Sequence, residues 1–344
     1  VISTSSKGRI PTRDSVRIRR KAVERDIPCL TAMDTASALL DCLKSRYSEE
    51  STEFVDINHL RSQKETLEFV KMQGCGNDYI YFDNRDGKIT CPESIAINYV
   101  NIHYGIGGDG IVLIENSDVA DAKMRIFNKD GTEGRVGGNA VRCVGKYLYE
   151  KGIVRNREMK IETAGGINAV KVYSFNGKVN SASVNLGKAE LAGDKIPCVW
   201  KEDQIVDKPV KIGGKDYRIT LVNLGNPHCV VFSEKVDAVD VATVGPLFEN
   251  CEYFPERINA EFIRVVNKVT IKMRVWERGN GETWSCGTGA AAAVVAAVLN
   301  GYCDRDTNIT VKLRGGDLVV NYHSNGEVEL MGSVKTVYEG KFEI

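Results

Sequence analysis

No run of apolar residues in this 344-residue chain approaches the roughly 18–20 positions of a membrane-crossing helix, so no membrane span is expected. Neither sign of charge is in excess. Lys plus Arg and Asp plus Glu both total 46, so the bulk charge gives no drive toward nucleic acid or an anionic membrane. Histidine is scarce, with four widely separated residues, and no CxxC pair occurs, so no metal site is expected. A signal-like opening is also missing, and the first residue is Val, which reads as a processed start or a fragment. The ten cysteines are scattered, mostly inside apolar segments (Cys143, Cys229, Cys303), and form no disulfide scaffold. A reducing cytoplasm is the expected setting. What is present, 42% hydrophobic and 27% charged residues, suits a globular protein with two or three domains.

The chain reads as three pieces. Residues 1–66 pattern as strand, basic loop, helix, short strand and helix, followed by a polar linker. Val16, Ile18, Ala22 and Val23 supply the first helix's apolar face, and Asp34 or Thr35 can cap the second. The remainder repeats itself. Gly76-Asn77 recurs as Gly225-Asn226, Glu133 as Glu282, Gly137-Gly138 as Cys286-Gly287 and Gly152 as Gly301, each 149 residues on. "KIETAGG" then answers "TVKLRGG" with a slip of one, and turn signals bound short alternating strands. The fold class predicted is α+β, with two copies of one unit facing each other across a cleft. Each copy is mostly strands around one central helix.

"GNGETWSCGTGAAAAVVAAVLNG" sets Cys286 directly before an alanine-rich helix. A helix N-terminus exposes unpaired N–H groups and about half a positive charge, which suits a bound carboxylate. The same field is expected to lower the Cys286 pKa, to roughly 3.5–7.5 by precedent, giving a thiolate beside the carboxylate. The other half has "EGRVGGNAVRCVGKYLYEKG", another small loop that opens a helix. Two helix starts aimed at one carboxylate, with a base on either side of its α-carbon, make a racemase design. No electron-sink cofactor is required, and no Gly-rich phosphate motif suggests one, so no cofactor is expected.

The stretches "KMQGCGNDY", "HYGIGGDG", "FNKDGTE", "GGNAVRC", "LGNPHCV", "ERINAEF", "WERGNGETWSCGTGA" and "LRGGDL" follow one another from about Leu67 onward. In this order they resemble the diaminopimelate epimerase family. That resemblance implies cofactor-independent conversion of LL- to meso-diaminopimelate, for lysine and peptidoglycan precursors, by a thiolate/thiol pair. It implies two pseudo-symmetric, β-barrel-like halves, 67–185 and 186–329, with the last strand (330–344) returning to the first. Cys286 matches one catalytic residue. Gly138-Asn139 and Gly287-Thr288 match the cradles for the reacting carboxylate. Asn77, Asn128, Asn226, Asn259, Glu277 and Arg278 match the groups that hold the substrate, especially its distal end. Glu277 and asparagine carbonyls can accept from an ammonium, and Arg278 can fork to a carboxylate. His228 either supports the thiol or is a satisfied structural histidine. The resemblance further implies a small-molecule partner and a cytoplasmic location, and it allows a homodimer.

Two positions depart from the family pattern. Gly137 stands where the second catalytic cysteine belongs, and glycine can carry no proton. Losing a positioned acid or base costs about 10²–10⁴-fold, so substrate binding with weak or no epimerisation is expected. Cys75 is one candidate to reach the empty position. Gly110 occupies a site where some members use a polar residue toward the substrate. The alternatives are another isomerase of the same fold, similar to proline racemase, or a non-catalytic amino-acid binder. Separately, "KGRIPTRDSVRIRRKAVERDIPCLTAMDTASALL" is similar to the C-terminal effector domain of the carbamoyl phosphate synthetase large subunit. Only part of such an α/β domain is present. The choice there is between an anion site near Lys7 and Arg9 and an inactive remnant.

Overall fold

The sequence repeat is laid down as matched elements in the computed structural model, which describes residues 14–25, 27, 29–30, 36–37, 39–40, 66–134 and 138–343. Contacts divide the chain into two units at Glu65/Thr66. Within the first unit, α1 spans Asp14–Val23. Its apolar face is narrower than predicted. Ala22 is buried, but Ile18 and Val23 are 49% and 71% exposed. The Ala22 carbonyl accepts from Arg25 and Ile27, so the chain folds back over that one residue. Lys7, Arg9, Asp34, Thr35 and the linker at 45–65 lie outside the described residues.

The second unit opens with β1 (Thr66–Gly74), β2 (Asn77–Asp83), helix α2 (Pro92–Tyr99), β3 (Gly110–Glu115), β4 (Ala122–Asn128) and β5 (Glu133–Gly134). Helix α3 (Gly138–Glu150) and strands β6 (Glu158–Thr163), β7 (Gly166–Phe175) and β8 (Lys178–Lys188) complete this series. The second series is β9 (Lys208–Ile212), β10 (Lys215–Asn223), β11 (Pro227–Phe232), α4 (Val241–Glu249), β12 (Asn259–Asn267), β13 (Thr270–Glu277) and β14 (Gly281–Thr283). It continues with α5 (Gly287–Leu299), β15 (Asn308–Leu313), β16 (Gly316–Tyr322) and β17 (Glu327–Ser333), and the chain closes with β18 (Lys335–Glu343).

Register repeats as well as order. The parallel pair Tyr79↔Gly110 in the first half is matched by His228↔Asn259 in the second. The hairpin Thr163↔Gly166 is likewise matched by Leu313↔Gly316. β10 takes β9 as its outer neighbour, whereas β1 takes β18, with Leu67 opposite Phe342. The halves join where β8 pairs antiparallel with β17, Ala182 facing Gly332. The sheet is therefore continuous through both.

Alternation buries one face of β1, β16 and β17, as a half-covered sheet requires. The central helices are buried on more than one side. In α5 every residue from Gly289 to Ala297 is buried, and its small side chains let strands close on it from all round. The main core encloses α3, α5 and the inner faces of both halves. Smaller cores lie on the outer faces, under α2 in one half and under α4 in the other.

Candidate active site

The two central helices begin at the same place. A Cβ on Gly138 would lie 3.6 Å from Leu330 Cδ2, and one on Gly287 only 2.9 Å from that same methyl. The Gly287 position is also 3.8 Å from Asn139 Oδ1. A Cβ at Gly287 would press only on the mobile end of Leu330, and its ordinary contact distance to Asn139 puts the two helix starts side by side. Their unpaired N–H groups and partial positive charges then act on one small volume.

Cys286 is the N-cap of α5, with extended backbone (φ −121°, ψ 114°) and only 6% exposure. Its Sγ accepts from the Gly289 N–H at 3.3 Å and lies 3.6 Å from Thr288 Oγ1. The structure corrects the expected direction of its pKa. Burial pushes the thiol well above the ordinary cysteine value, and the carboxylates of Glu277 and Glu261 add to the rise. The hydrogen bonds from the Gly289 N–H and to Thr288 pull the other way without reversing the rise. That direction favours the thiol over the thiolate at neutral pH. Gly137 lies outside the described residues.

The other predicted residues fall on matched positions of the two halves. Asn77 corresponds to Asn226, Gly110 to Asn259, Asn128 to Glu277, and Gly138-Asn139 to Gly287-Thr288, each pair 149 residues apart. Asn259 is pinned at both ends, accepting from the Arg278 N–H at 2.9 Å and donating to the Pro227 carbonyl at 2.8 Å. Arg278 donates through its guanidinium to the Glu256 carbonyl. Glu277, at the end of β13, accepts from the Thr283 hydroxyl, and burial raises its pKa. Asn128 is exposed at the end of β4 and donates to Thr132 Oγ1. Asn77 donates to Asp109 and accepts from Asn139.

His228 is fully buried with both ring nitrogens engaged. Nδ1 lies 2.7 Å from Glu261 Oε1, and Nε2 lies 3.0 Å from Asn226 Oδ1. It therefore holds Asn226 and Glu261, and no hydrogen bond joins it to Cys286. Cys75 adopts φ +54° and directs its thiol to the Asp317 carbonyl (3.7 Å) and Ser333 Oγ (3.9 Å), on β16 and β17. Neither partner belongs to the predicted set. At Gly110 a Cβ would sit 2.2 Å from the Phe127 carbonyl oxygen, so this backbone has no room for a side chain there.

Three charged residues near these groups were not singled out from the sequence: Asp109, Arg142 and Glu261. All lie inside quoted blocks ("GIGGDG", "GGNAVRC", "ERINAEF"). For Arg142 and Glu261 the signal available was a charge within a core helix or an apolar strand, whereas Asp109 lies in a part-exposed bend before β3. Arg142 is one turn along from Asn139 on α3, and Glu261 breaks the apolar run of β12.

A family model described as diaminopimelate epimerase matches residues 69–192 and 220–337. A diaminopimelate epimerase from Acetivibrio thermocellus is 42% identical over 279 residues, spanning 81% of this chain and 99% of the relative. One from Methanococcus maripaludis is 44% identical over 279 residues, spanning 81% and 100%. Among solved structures, a hydroxyproline epimerase from Agrobacterium vitis superposes with TM-score 0.60 at 13% identity, covering 82% of this chain and 93% of that one. A methylitaconate-delta-isomerase superposes with TM-score 0.57 at 14% identity, covering 82% and 96%. At these identities the two structures speak to fold alone.

Proposed function

This chain belongs to the diaminopimelate epimerase family, and we propose that it binds diaminopimelate with one thiol of a two-thiol site. The observation that carries the reading is the convergence of two helix starts with Cys286 at one of them. The substrate's α-carboxylate sits on the N–H groups of Gly138-Asn139 and Gly287-Thr288. Asn77, Asn128, Asn226, Asn259, Glu277 and Arg278 hold the rest of the molecule. His228 supports Asn226. The enzyme body divides into residues 67–185 and 186–329, with the last strand returning to the first half.

The chemistry is epimerisation without a cofactor. Deprotonated Cys286 takes the α-proton from one face of the substrate, and the N–H groups stabilise the charge that spreads into the carboxylate. A donor on the opposite face must then return a proton to the α-carbon. Gly137 offers no such donor, so inversion is slow and return of a proton to the original face dominates. That same residue favours a second reading, an amino-acid binder without turnover. Conversion of LL- to meso-diaminopimelate, followed for this chain and for Gly137→Cys, separates the two. The epimerase reading expects the cysteine variant to be faster by about 10²-fold or more. Equal, negligible rates with retained binding favour the binder.

Residues 1–60 are read separately, as a remnant similar to the effector domain of the carbamoyl phosphate synthetase large subunit, without activity. No helix among the described residues is long and apolar enough to cross a membrane. The unpaired described cysteines support a reducing, cytoplasmic setting, and the reading allows a homodimer.

A further inference from the structure

Arg142, on α3, is fully buried, and its titratable neighbours among the described residues are Cys75, Cys143 and Tyr81, with no carboxylate paired to it. Its Nη2 donates to Asn139 Oδ1 at 2.7 Å, while Nε and Nη1 have no hydrogen-bond partner among the described residues. The guanidinium lies in a slot left open by two glycines. A Cβ on Gly332 would stand 2.9 Å from Nη2, and one on Gly74 would stand 3.6 Å from it. Burial draws its pKa down, but a guanidinium remains charged at neutral pH. An unpaired buried charge is costly, and an apolar residue of similar volume would be the stable choice. Stability does not explain this arginine.

The hydrogen bonds beyond it run in one direction. Asn139 Nδ2 donates to Asn77 Oδ1 at 3.3 Å, and Asn77 Nδ2 donates to Asp109 Oδ2 at 2.8 Å. Arginine can only donate and an ionised aspartate can only accept, so the two ends fix which way both intervening amides face. Asp109 also accepts from the Asp78 N–H at 3.1 Å. The second half has no equivalent. Ala291 stands 149 residues after Arg142, and Ile258 stands in the same relation to Asp109. There the buried ionisable group is an acid, Glu261, whose Oε2 has no hydrogen-bond partner among the described residues and whose equivalent in the first half is Val112. One helix start has an unneutralised cation behind it, and the other has a carboxylate nearby.

We infer that Arg142 is a positioning residue for the substrate: through Asn139 it orients Asn77, and its charge makes the α3 start the stronger carboxylate seat. This rests on the proposed reading of Asn77 and Asn139 as substrate-holding groups. The test measures affinity for meso-diaminopimelate by calorimetry and thermal stability on the same samples, for the full chain and its variants.

Arg142→Met should keep or raise the melting temperature while weakening binding by about tenfold or more, the scale of one charge-assisted hydrogen bond. Arg142→Lys, which keeps the charge, should recover part of that affinity. Asp109→Ala acts at the half-exposed end of the chain without disturbing the core, and should weaken binding several-fold by releasing Asn77. It decides the matter if Arg142→Met does not fold. The opposite split, lower stability with affinity unchanged in Arg142→Met, makes the arginine structural and overturns the inference. Unchanged affinity in Asp109→Ala also overturns it. If the unaltered chain shows no binding, the functional reading falls and this inference falls with it.

Discussion

At the scale of single residues, Cys286 decides what the site can do. A helix start favours a thiolate, and the sequence shows that much. The structure adds burial and two acids, which move the balance to the thiol. A raised thiol pKa has a definite consequence for rate. Below that pKa the thiolate fraction grows about tenfold per pH unit, so proton abstraction by Cys286 should climb steadily from neutral into alkaline pH. A plateau below the ordinary cysteine range would contradict this. Glu261→Gln removes one of the opposing charges and should move the alkylation profile of Cys286, read by peptide mass spectrometry, toward lower pH. An unmoved profile would mean that Glu261 contributes nothing to the rise. Asn77, Asn226, Asn259 and Glu277 could be named from the sequence because they sit in recognisable blocks. Asp109, Arg142 and Glu261 sat in the same blocks and went unnamed, since a sequence shows the charge and not the groups it meets.

At the scale of elements, the repeat was the most legible feature. Helices α3 and α5 start 149 residues apart, at Gly138 and Gly287, as do β3 and β12 at Gly110 and Asn259. Glycine, turn residues and apolar spacing fix such elements locally, so they can be read locally. The alanine run in α5 is a packing requirement imposed by strands close on several sides. Ala293→Leu should therefore cost about 1–3 kcal/mol in urea unfolding, because the core around α5 has no slack for the added volume. Full stability in that variant would show a looser interior than this one. In α1 the sequence overstated burial, since an apolar face is visible in a sequence and what covers it is not.

At the scale of the whole molecule, two pairings were not available from local pattern. β8 with β17 joins the halves, and β18 with β1 closes the first half using the last strand of the chain. Partners far apart in sequence leave no periodic trace, and the returning strand was expected here only through family resemblance. Phe342 anchors β18 against Tyr99 and Phe69, with ring centroids 4.2 and 6.0 Å away. Deleting residues 335–344 should strip β1 of its neighbour, expose an unpaired edge and lower the urea midpoint, with aggregation on dilution. An unchanged midpoint would make β18 an ornament of the fold.

In the proposed site one working thiol faces the place of a missing one. The most direct test is α-proton exchange of LL- and meso-diaminopimelate in D₂O, followed by NMR, for this chain, Cys286→Ala and Gly137→Cys. A one-thiol site should give exchange with little inversion in the unaltered chain, inversion once Gly137 is cysteine, and neither without Cys286. Full-rate inversion by the unaltered chain, or exchange that survives Cys286→Ala, would contradict it.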